Sequence, residues 1–251
     1  MMSGVAEGFI SHLVELRDRL MRALLSVFVV FLCLLPWAGK IYDLLAQPLM
    51  AALPPGTKMI ATGVITPFMV PIKVTMLVAF VVALPIVLYQ AWAFIAPGLY
   101  KQERRFALPL VIGSTLLFLF GMAFCYFFVF GTVFKFIAQF SPTSITPAPD
   151  IEQYFSFVMT MFLAFGTTFE VPVAVLLMVR FGIVSIENMR KFRPYAIVSA
   201  FVISAVVTPP DVASQLLLAI PMCLLFEVGL FLSRFVAKPV SEDEAADPLS
   251  S

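Results

Sequence analysis

The chain has 251 residues, of which 61% are hydrophobic and only 12% are charged. A soluble globular domain needs a far larger share of polar surface, so this composition excludes one and indicates a protein that lies within a membrane. The net charge of +1 carries no information about partners, and we expect no nucleic acid among them.

Residues 1–22 have the pattern of an amphipathic helix that lies at the membrane surface. Apolar side chains recur at helical spacing, at Phe9, Leu13, Leu16 and Leu20. Glu15 and Arg19 stand four residues apart, in the orientation that stabilises a helix, and Asp18 and Arg22 repeat this arrangement. From the residues alone, Glu15 is therefore predicted to belong to a routine helix ion pair. The apolar run that follows has no small-x-small cleavage site, so we expect it to be retained as a first span.

Uncharged apolar runs predict six transmembrane helices and an all-α polytopic membrane protein. A bilayer core about 30 Å thick needs about 20 helical residues. The spans are expected at about residues 23–38, 74–96, 107–134, 154–179, 195–209 and 212–233. They form one membrane domain, residues 1–238, and residues 239–251 have the composition of a disordered acidic cytoplasmic tail.

The fifth and sixth spans are expected to be short. The uncharged run from Pro194 to Pro210 covers only about 25 Å as a helix. Such a pair either thins the bilayer around it or is accommodated by a modest tilt, and length alone does not choose between these two outcomes.

Positive charges are distributed unequally between the two sides of the spans. Twelve Lys and Arg residues lie in the two tails and in the 97–106 and 180–194 loops, against four in the segments on the other side. The positive-inside rule therefore places both termini in the cytoplasm. The loop at 39–72 then lies outside, where we expect short amphipathic helices, broken at Pro48 and at residues 54–56, to form a cap.

Glu170 is the outlier among the predicted spans, because nine residues separate it from Arg180. A carboxyl at this depth is costly unless it is protonated, paired or hydrated, so we expect it to face a cavity or a partner helix. The alternative is a neutral, hydrogen-bonded structural carboxyl. Gly166 beside it would let another helix approach closely. Gln215 is expected to meet an outside helix or to bond internally to the fifth span, and Glu227 is expected to snorkel to the interface.

The prolines at positions 85, 109, 172 and 221 fall within apolar runs. Proline lacks a backbone N–H and crowds the preceding turn of a helix. We therefore expect these residues to kink or end helical segments.

A dense charge cluster occupies residues 94–105, where Glu103 stands among three cations. From composition alone it is a solvated loop whose cations fix membrane orientation. Other distinctive segments are Ser11–Arg17, Tyr89–Pro97, Phe169–Pro172, Lys191–Tyr195 and Thr208–Gln215. Through these segments and Tyr100–Arg105, the sequence resembles the TatC family of the twin-arginine protein translocase over nearly its whole length.

This resemblance implies a six-helix, glove-shaped receptor in the bacterial cytoplasmic membrane that binds the twin-arginine signal peptides of folded cargo proteins. It also implies export driven by the proton motive force, and assembly with TatA- and TatB-type single-span subunits and with further TatC copies. Signal-peptide binding would involve Glu15, Glu103, Arg17 and Phe94. Partner contact, assembly or transport would involve Pro48, Tyr126, Glu170, Thr208, Asp211 and Gln215.

A proton-coupled secondary transporter that uses Glu170 is the main alternative. It would predict internal repeats, and the two halves of the chain show no convincing similarity. Enzymatic activity is not expected, because the single His12 is badly placed for nucleophilic catalysis and no phosphate-binding motif occurs. The three cysteines lie in apolar runs without CxxC spacing, so we expect neither a metal site nor a cofactor.

Overall fold

The chain is built almost entirely of α-helices. A computed structural model describes residues 2–52, 59–95, 104–140, 148–208 and 211–235, with side chains at 12–47, 50–51, 59–94, 108–136, 148–208 and 211–235. In chain order the helices are α1 (Met2–Leu34), α2 (Ala38–Ala52), α3 (Thr66–Ile95), α4 (Arg104–Phe124), α5 (Phe130–Phe140), α6 (Ile151–Phe169), α7 (Val171–Arg180), α8 (Ile186–Lys191), α9 (Arg193–Val207) and α10 (Val212–Ser233). The described ranges contain no strand beyond one isolated β-bridge between Ile60 and Asp150.

Two short segments of other helical types join these helices. A 3₁₀ turn, Leu35–Trp37, connects α1 to α2. A π-helical segment, Cys125–Val129, connects α4 to α5 and so keeps the third span helical throughout. The π segment was not anticipated from the sequence, because nothing in the apolar pattern marks a change of helical type.

Six apolar stretches of the described chain correspond to the six predicted spans. Five are long enough to cross a bilayer: residues 12–47, 66–94, 108–136, 151–180 and 212–233. The sixth stretch is α9, with 15 residues. As predicted, α9 and α10 are the two shortest, and at 1.5 Å per residue they reach about 22 and 33 Å. Only α9 is therefore shorter than a hydrocarbon core of about 30 Å.

The N-terminal part of the chain departs from the prediction at residue 22 and at Pro48, while the break expected at residues 54–56 lies outside the described residues. α1 passes through residue 22 without interruption, so the predicted surface helix and first span are one helix. No proline precedes Pro36 to end it. α2 continues through Pro48, which removes one backbone hydrogen bond without ending the helix. α3 begins at Thr66 rather than near residue 74.

The other prolines behave in the same way, with one exception. Pro85, Pro109 and Pro221 lie inside α3, α4 and α10, so none of them ends a helix. Pro172 stands in the first turn of α7, where its missing N–H costs nothing. Of these four prolines, only Pro172 lies beside a break between two helices, and that break falls at Glu170 in the fourth span.

The main core forms around α6, which packs against α3, α4 and α10. Its interior is rich in aromatic residues, and Phe130, Phe155 and Phe165 are fully buried. By contrast, α1 packs mainly against α3 and leaves much of its apolar surface exposed. In a membrane protein, lipid tails cover such surface at no cost, so exposure here does not indicate instability.

Close approach of α4 and α6 depends on glycine. A side-chain carbon added at Gly121 would lie only 2.6 Å from the Phe165 carbonyl oxygen. Gly166, on the facing helix, lies against the Phe118 ring. The expectation that Gly166 lets another helix approach closely is therefore confirmed, and the helix that does so is α4 of the same chain.

A polar cluster around Asp150 ties the segment before α3 to the start of α6. The Thr62 hydroxyl and N–H both donate to Asp150 Oδ2, at 2.7 and 3.1 Å, while Glu152 N–H donates to Oδ1 at 2.9 Å. Lys73 Nζ lies 2.8 Å from Glu152 Oε1. These donors, the Thr62 hydroxyl first, hold the pKa of Asp150 below its usual value, because they stabilise the carboxylate.

Candidate functional site

Glu15 lies on α1 in a polar depression that it forms with Val14, Asp18, Arg19 and Arg22. Its Oε1 accepts a hydrogen bond from Arg19 Nε at 2.9 Å, so the predicted ion pair is confirmed. Asp18 pairs with the adjacent Arg17 at 2.8 Å, so the predicted pair with Arg22 is wrong. Arg17 reaches Asp18 from the neighbouring position and remains largely exposed.

Phe94, near the end of α3, contacts α1 close to this depression. Its ring stacks on the His12 ring with 4.4 Å between centroids and 16° between planes. The stack joins the two helices one turn from Glu15 and so brings together two residues of the predicted signal-peptide site. Sequence reasoning missed the role of His12, because no sequence pattern shows which helices are neighbours.

An apolar groove between α1 and α3 adjoins the polar depression. It has a volume of about 250 Å³, and Arg19 lines both features. The other groove residues are Leu16, Leu20, Ala23, Val87, Gln90, Ala91 and Phe94. Gln90 Oε1 is buried without a hydrogen-bond partner in the described part of the chain. Leaving such an oxygen unpaired costs ~1–3 kcal/mol, so a hydrogen-bond donor that reached it would bind favourably.

The side chains of two predicted site residues lie outside the described residues. Glu103 lies outside the described residues. Pro48 lies in α2, but its side chain is also outside them. The pairing of Glu103 with Glu15 in one site stays a prediction.

Glu170 stands at the junction of α6 and α7, where it ends the first helix and precedes the second. Both carboxyl oxygens are buried and neither has a hydrogen-bond partner among the described residues. The Ser114 hydroxyl of α4 lies beside the carboxyl without completing a bond, and it accepts one from Trp92 Nε1 at 2.9 Å. Glu170 therefore lies inside the helix bundle in this conformation, and its contact with a cavity or a partner helix stays a prediction.

The short hairpin is held together by its own polar groups. Asp211 caps α10 by accepting from Ser214 N–H at 2.7 Å. The Gln215 amide donates to the Phe201 carbonyl of α9 at 3.3 Å, so of the two alternatives for Gln215 the structure shows the internal bond to the fifth span. The buried Thr208 hydroxyl donates to the Ser204 carbonyl at 2.8 Å.

Glu227 has a partner that the sequence did not reveal. Arg193 at the start of α9 forms an ion pair with it at 2.6 Å, and the expected position of Glu227 at the interface stays a prediction. The pair links α9 to α10 at the end opposite to the Asp211 cap.

Tyr126 belongs to the π-helical segment and packs on Phe127 and Phe162, with 5.0 and 6.4 Å between ring centroids. It lines an apolar cavity of about 220 Å³ together with residues of α2, α3, α4 and α6. A π-helical turn within a helix often marks a functional position, because its widened turn redirects side chains. Two of the predicted partner-contact residues therefore lie beside an unfilled space: Tyr126 at this apolar cavity, and Thr208 at a more polar depression of about 410 Å³.

These features define the class of protein. It is a polytopic α-helical membrane protein with a carboxylate–arginine surface where α1 and α3 meet and a buried acid in its fourth span. Residues 11–221 match the family model for the Sec-independent protein translocase protein TatC. The chain belongs to this TatC family.

Individual relatives agree with this assignment. The TatC protein of Escherichia coli K12 is 53% identical over 229 residues, covering 91% of this chain and 89% of that protein. The Haemophilus influenzae TatC protein is 49% identical, with 98% and 96% covered. A crystal structure of the twin-arginine translocase receptor TatC superposes with a TM-score of 0.80 at 36% identity, covering 90% of this chain and 99% of that one. The secondary-transporter alternative gains no support from these relatives.

Proposed function

We propose that this protein is the signal-peptide receptor and core subunit of a twin-arginine translocase in the bacterial cytoplasmic membrane. It recognises the arginine pair of signal peptides on folded cargo, and the proton motive force drives export. Single-span subunits of the TatA and TatB type and further copies of this chain complete the working complex. The observation that carries the proposal is the Glu15–Arg19 pair beside the Phe94–His12 stack.

Arg19 illustrates the chemistry that the site offers to a signal arginine. Its guanidinium approaches the Glu15 carboxylate with two nitrogens, Nε and an Nη. Arginine presents a planar fork to a carboxylate, which the compact ammonium of lysine does not reproduce. An incoming arginine therefore shares Glu15 with Arg19 or displaces it.

The same surface gives roles to the neighbouring residues. Phe94 offers an aromatic face on which a guanidinium can stack. Arg17 pairs with Asp18, which moderates the negative charge beside Glu15. Glu103, from the connector after α3, supplies the second carboxylate in this proposal.

Copurification tests the receptor function directly. The protein, extracted in mild detergent with its partner subunits, should retain a folded cargo that carries an Arg-Arg signal peptide. The same cargo with Lys-Lys has the same net charge but cannot make the bidentate contacts. It should therefore be retained far less. Equal retention of both cargoes would contradict the proposal.

Orientation in the membrane has its own test. With both termini in the cytoplasm, single cysteines at Thr57 and Pro147 should react with an impermeant reagent added to intact cells, whereas one at Gln102 should react only after the cells are opened. The measurement is the labelled fraction on a cysteine-free background made by replacing Cys33, Cys125 and Cys223. Labelling of position 102 from outside would overturn the orientation.

A further inference from the structure

A line of three buried polar side chains crosses the helix bundle from α3 to the break between α6 and α7. Its members are Trp92 on α3, Ser114 on α4 and Glu170 at the break. We propose that Trp92 and Ser114 are positioning residues that hold Glu170 inside the bundle and release it to a partner helix when a signal peptide binds beside Phe94. The inference rests on the proposed receptor function and names the internal contacts through which the signal-peptide surface acts on the buried acid.

The contacts between these side chains are the first argument. Trp92 Nε1 donates to the Ser114 hydroxyl oxygen at 2.9 Å, and the same hydroxyl lies beside the Glu170 carboxyl. The exposed fractions of Trp92, Ser114 and Glu170 are 7%, 0% and 9%, so water does not compete for these groups. Buried polar groups that meet in this way favour one arrangement of the helices that carry them.

The hydrogen-bonding capacity that remains at Ser114 is the second argument. A hydroxyl has one proton and two lone pairs, and Trp92 occupies one of the lone pairs. The remaining proton lies next to the Glu170 oxygens, which have no hydrogen-bond partner among the described residues. A carboxylate would accept this proton, and a neutral carboxyl would donate to the second lone pair. Ser114 can therefore retain the acid in either form after a small rotation.

The place of Trp92 on α3 is the third argument. It stands two residues before Phe94, whose ring stacks on His12 at the signal-peptide surface. Both residues belong to one helix, so a displacement of this end of α3 moves them together. At the other end of the line, Glu170 stands between two helices, where its carboxyl can change direction without breaking either. A shift that separates Trp92 from Ser114 would therefore free the acid to turn toward a partner.

Tryptophan fluorescence tests this coupling, because the chain has only two tryptophans. Trp37→Phe removes the exposed one and leaves Trp92 as the single reporter. This protein, in nanodiscs, is mixed with a tryptophan-free Arg-Arg signal peptide whose binding is measured independently. Ser114→Ala in the same background gives the emission of Trp92 without its hydrogen bond. Thr115→Ala is the matched control, because the hydroxyl that it removes donates to the Val111 carbonyl of its own helix at 2.7 Å.

Without peptide, Ser114→Ala should shift the Trp92 emission, and Thr115→Ala should leave it unchanged. Bound peptide should move the emission of the single-tryptophan protein to the Ser114→Ala value and should cause no further shift in Ser114→Ala. Emission that does not respond to bound Arg-Arg peptide, or to loss of the Ser114 hydroxyl, would overturn the proposal. Equal binding of Arg-Arg and Lys-Lys peptides would instead overturn the proposed function.

Crosslinking to a single-span subunit gives a second readout, which a merely structural role would not change. A cysteine replaces Leu163, exposed on α6 two turns before Glu170, in cysteine-free protein assembled with its partner subunits in membrane vesicles. Trp92→Phe keeps a ring but loses the N–H, and it and Ser114→Ala should each raise crosslinking in the absence of signal peptide about tenfold, the size expected when one hydrogen bond to a charged group is lost. Thr115→Ala should keep the dependence on signal peptide. Retention of that dependence in Ser114→Ala, which serves alone if Trp92→Phe does not insert, would overturn the proposal.

Discussion

Changing Glu15 and Glu103 together to glutamine should remove most of the preference for Arg-Arg over Lys-Lys signal peptides, while insertion and abundance stay normal. Hydrogen bonds to charged groups contribute ~1.5–3 kcal/mol when sheltered, which corresponds to about a ten- to hundredfold change in affinity. A fully exposed ion pair would contribute only ~0–1 kcal/mol and would be screened by salt. Because the headgroup region is partly dehydrated, each of these contacts should contribute a free energy nearer the sheltered value.

The measurement is peptide affinity for the wild type, both single variants and the double variant, each with the two signals. If both carboxylates hold the same arginine pair, the effects should be less than additive. Glu187→Gln removes an equal charge from α8 and provides the matched control, with little expected effect on discrimination. A double variant that keeps the wild-type margin would show that these carboxylates do not read the signal.

Replacing Glu170 by alanine should leave the protein inserted but lower export by about tenfold or more, equivalent to ~1.4 kcal/mol or more. The carboxyl is buried at a helix junction and its oxygens have no hydrogen-bond partner in the described part of the chain, so a polar partner group would gain strongly by reaching it. Crosslinks between α6 and a single-span partner should weaken in parallel, because that contact is proposed to use this acid.

Thr167→Ala is the matched control, since it shortens an exposed polar side chain one turn earlier on the same helix. Export and crosslinking are measured together in cells, with solubilised protein checked for a normal elution profile. If Glu170→Ala preserves both, the acid is a structural group inside the bundle and carries no partner contact.

Helices and local contacts could be predicted from the sequence. Uncharged runs identified the six spans, and the i,i+4 spacing identified the Glu15–Arg19 pair. Glu170 was recognised as the interruption of the fourth span, where the structure places the junction of α6 and α7. These features depend on residues near each other in the chain, which periodicity and charge can report.

Contacts between distant segments could not be predicted, for a reason specific to membranes. In a bilayer, both the lipid-facing and the protein-facing sides of a helix are apolar, so the pattern of α3 does not reveal its partners. The His12–Phe94 stack, the Arg193–Glu227 pair and the burial of Glu170 all depend on such helix neighbours. Pro48 was wrongly predicted to break a helix. A helix supported by packing tolerates one missing hydrogen bond, so α2 continues through it.

The lowered pKa of Asp150 is expected to keep the polar cluster around it intact in mild acid. In the proposed orientation this cluster faces the compartment that respiration acidifies. The folded-state pKa of Asp150 is lowered, so its stabilising contribution is complete above the unfolded-state pKa and is lost only as the pH falls through the lowered value. Moderate acidification therefore leaves the Thr62–Asp150 hydrogen bonds intact. The segment before α3 then stays bound to the start of α6 while the proton gradient that drives export is maintained.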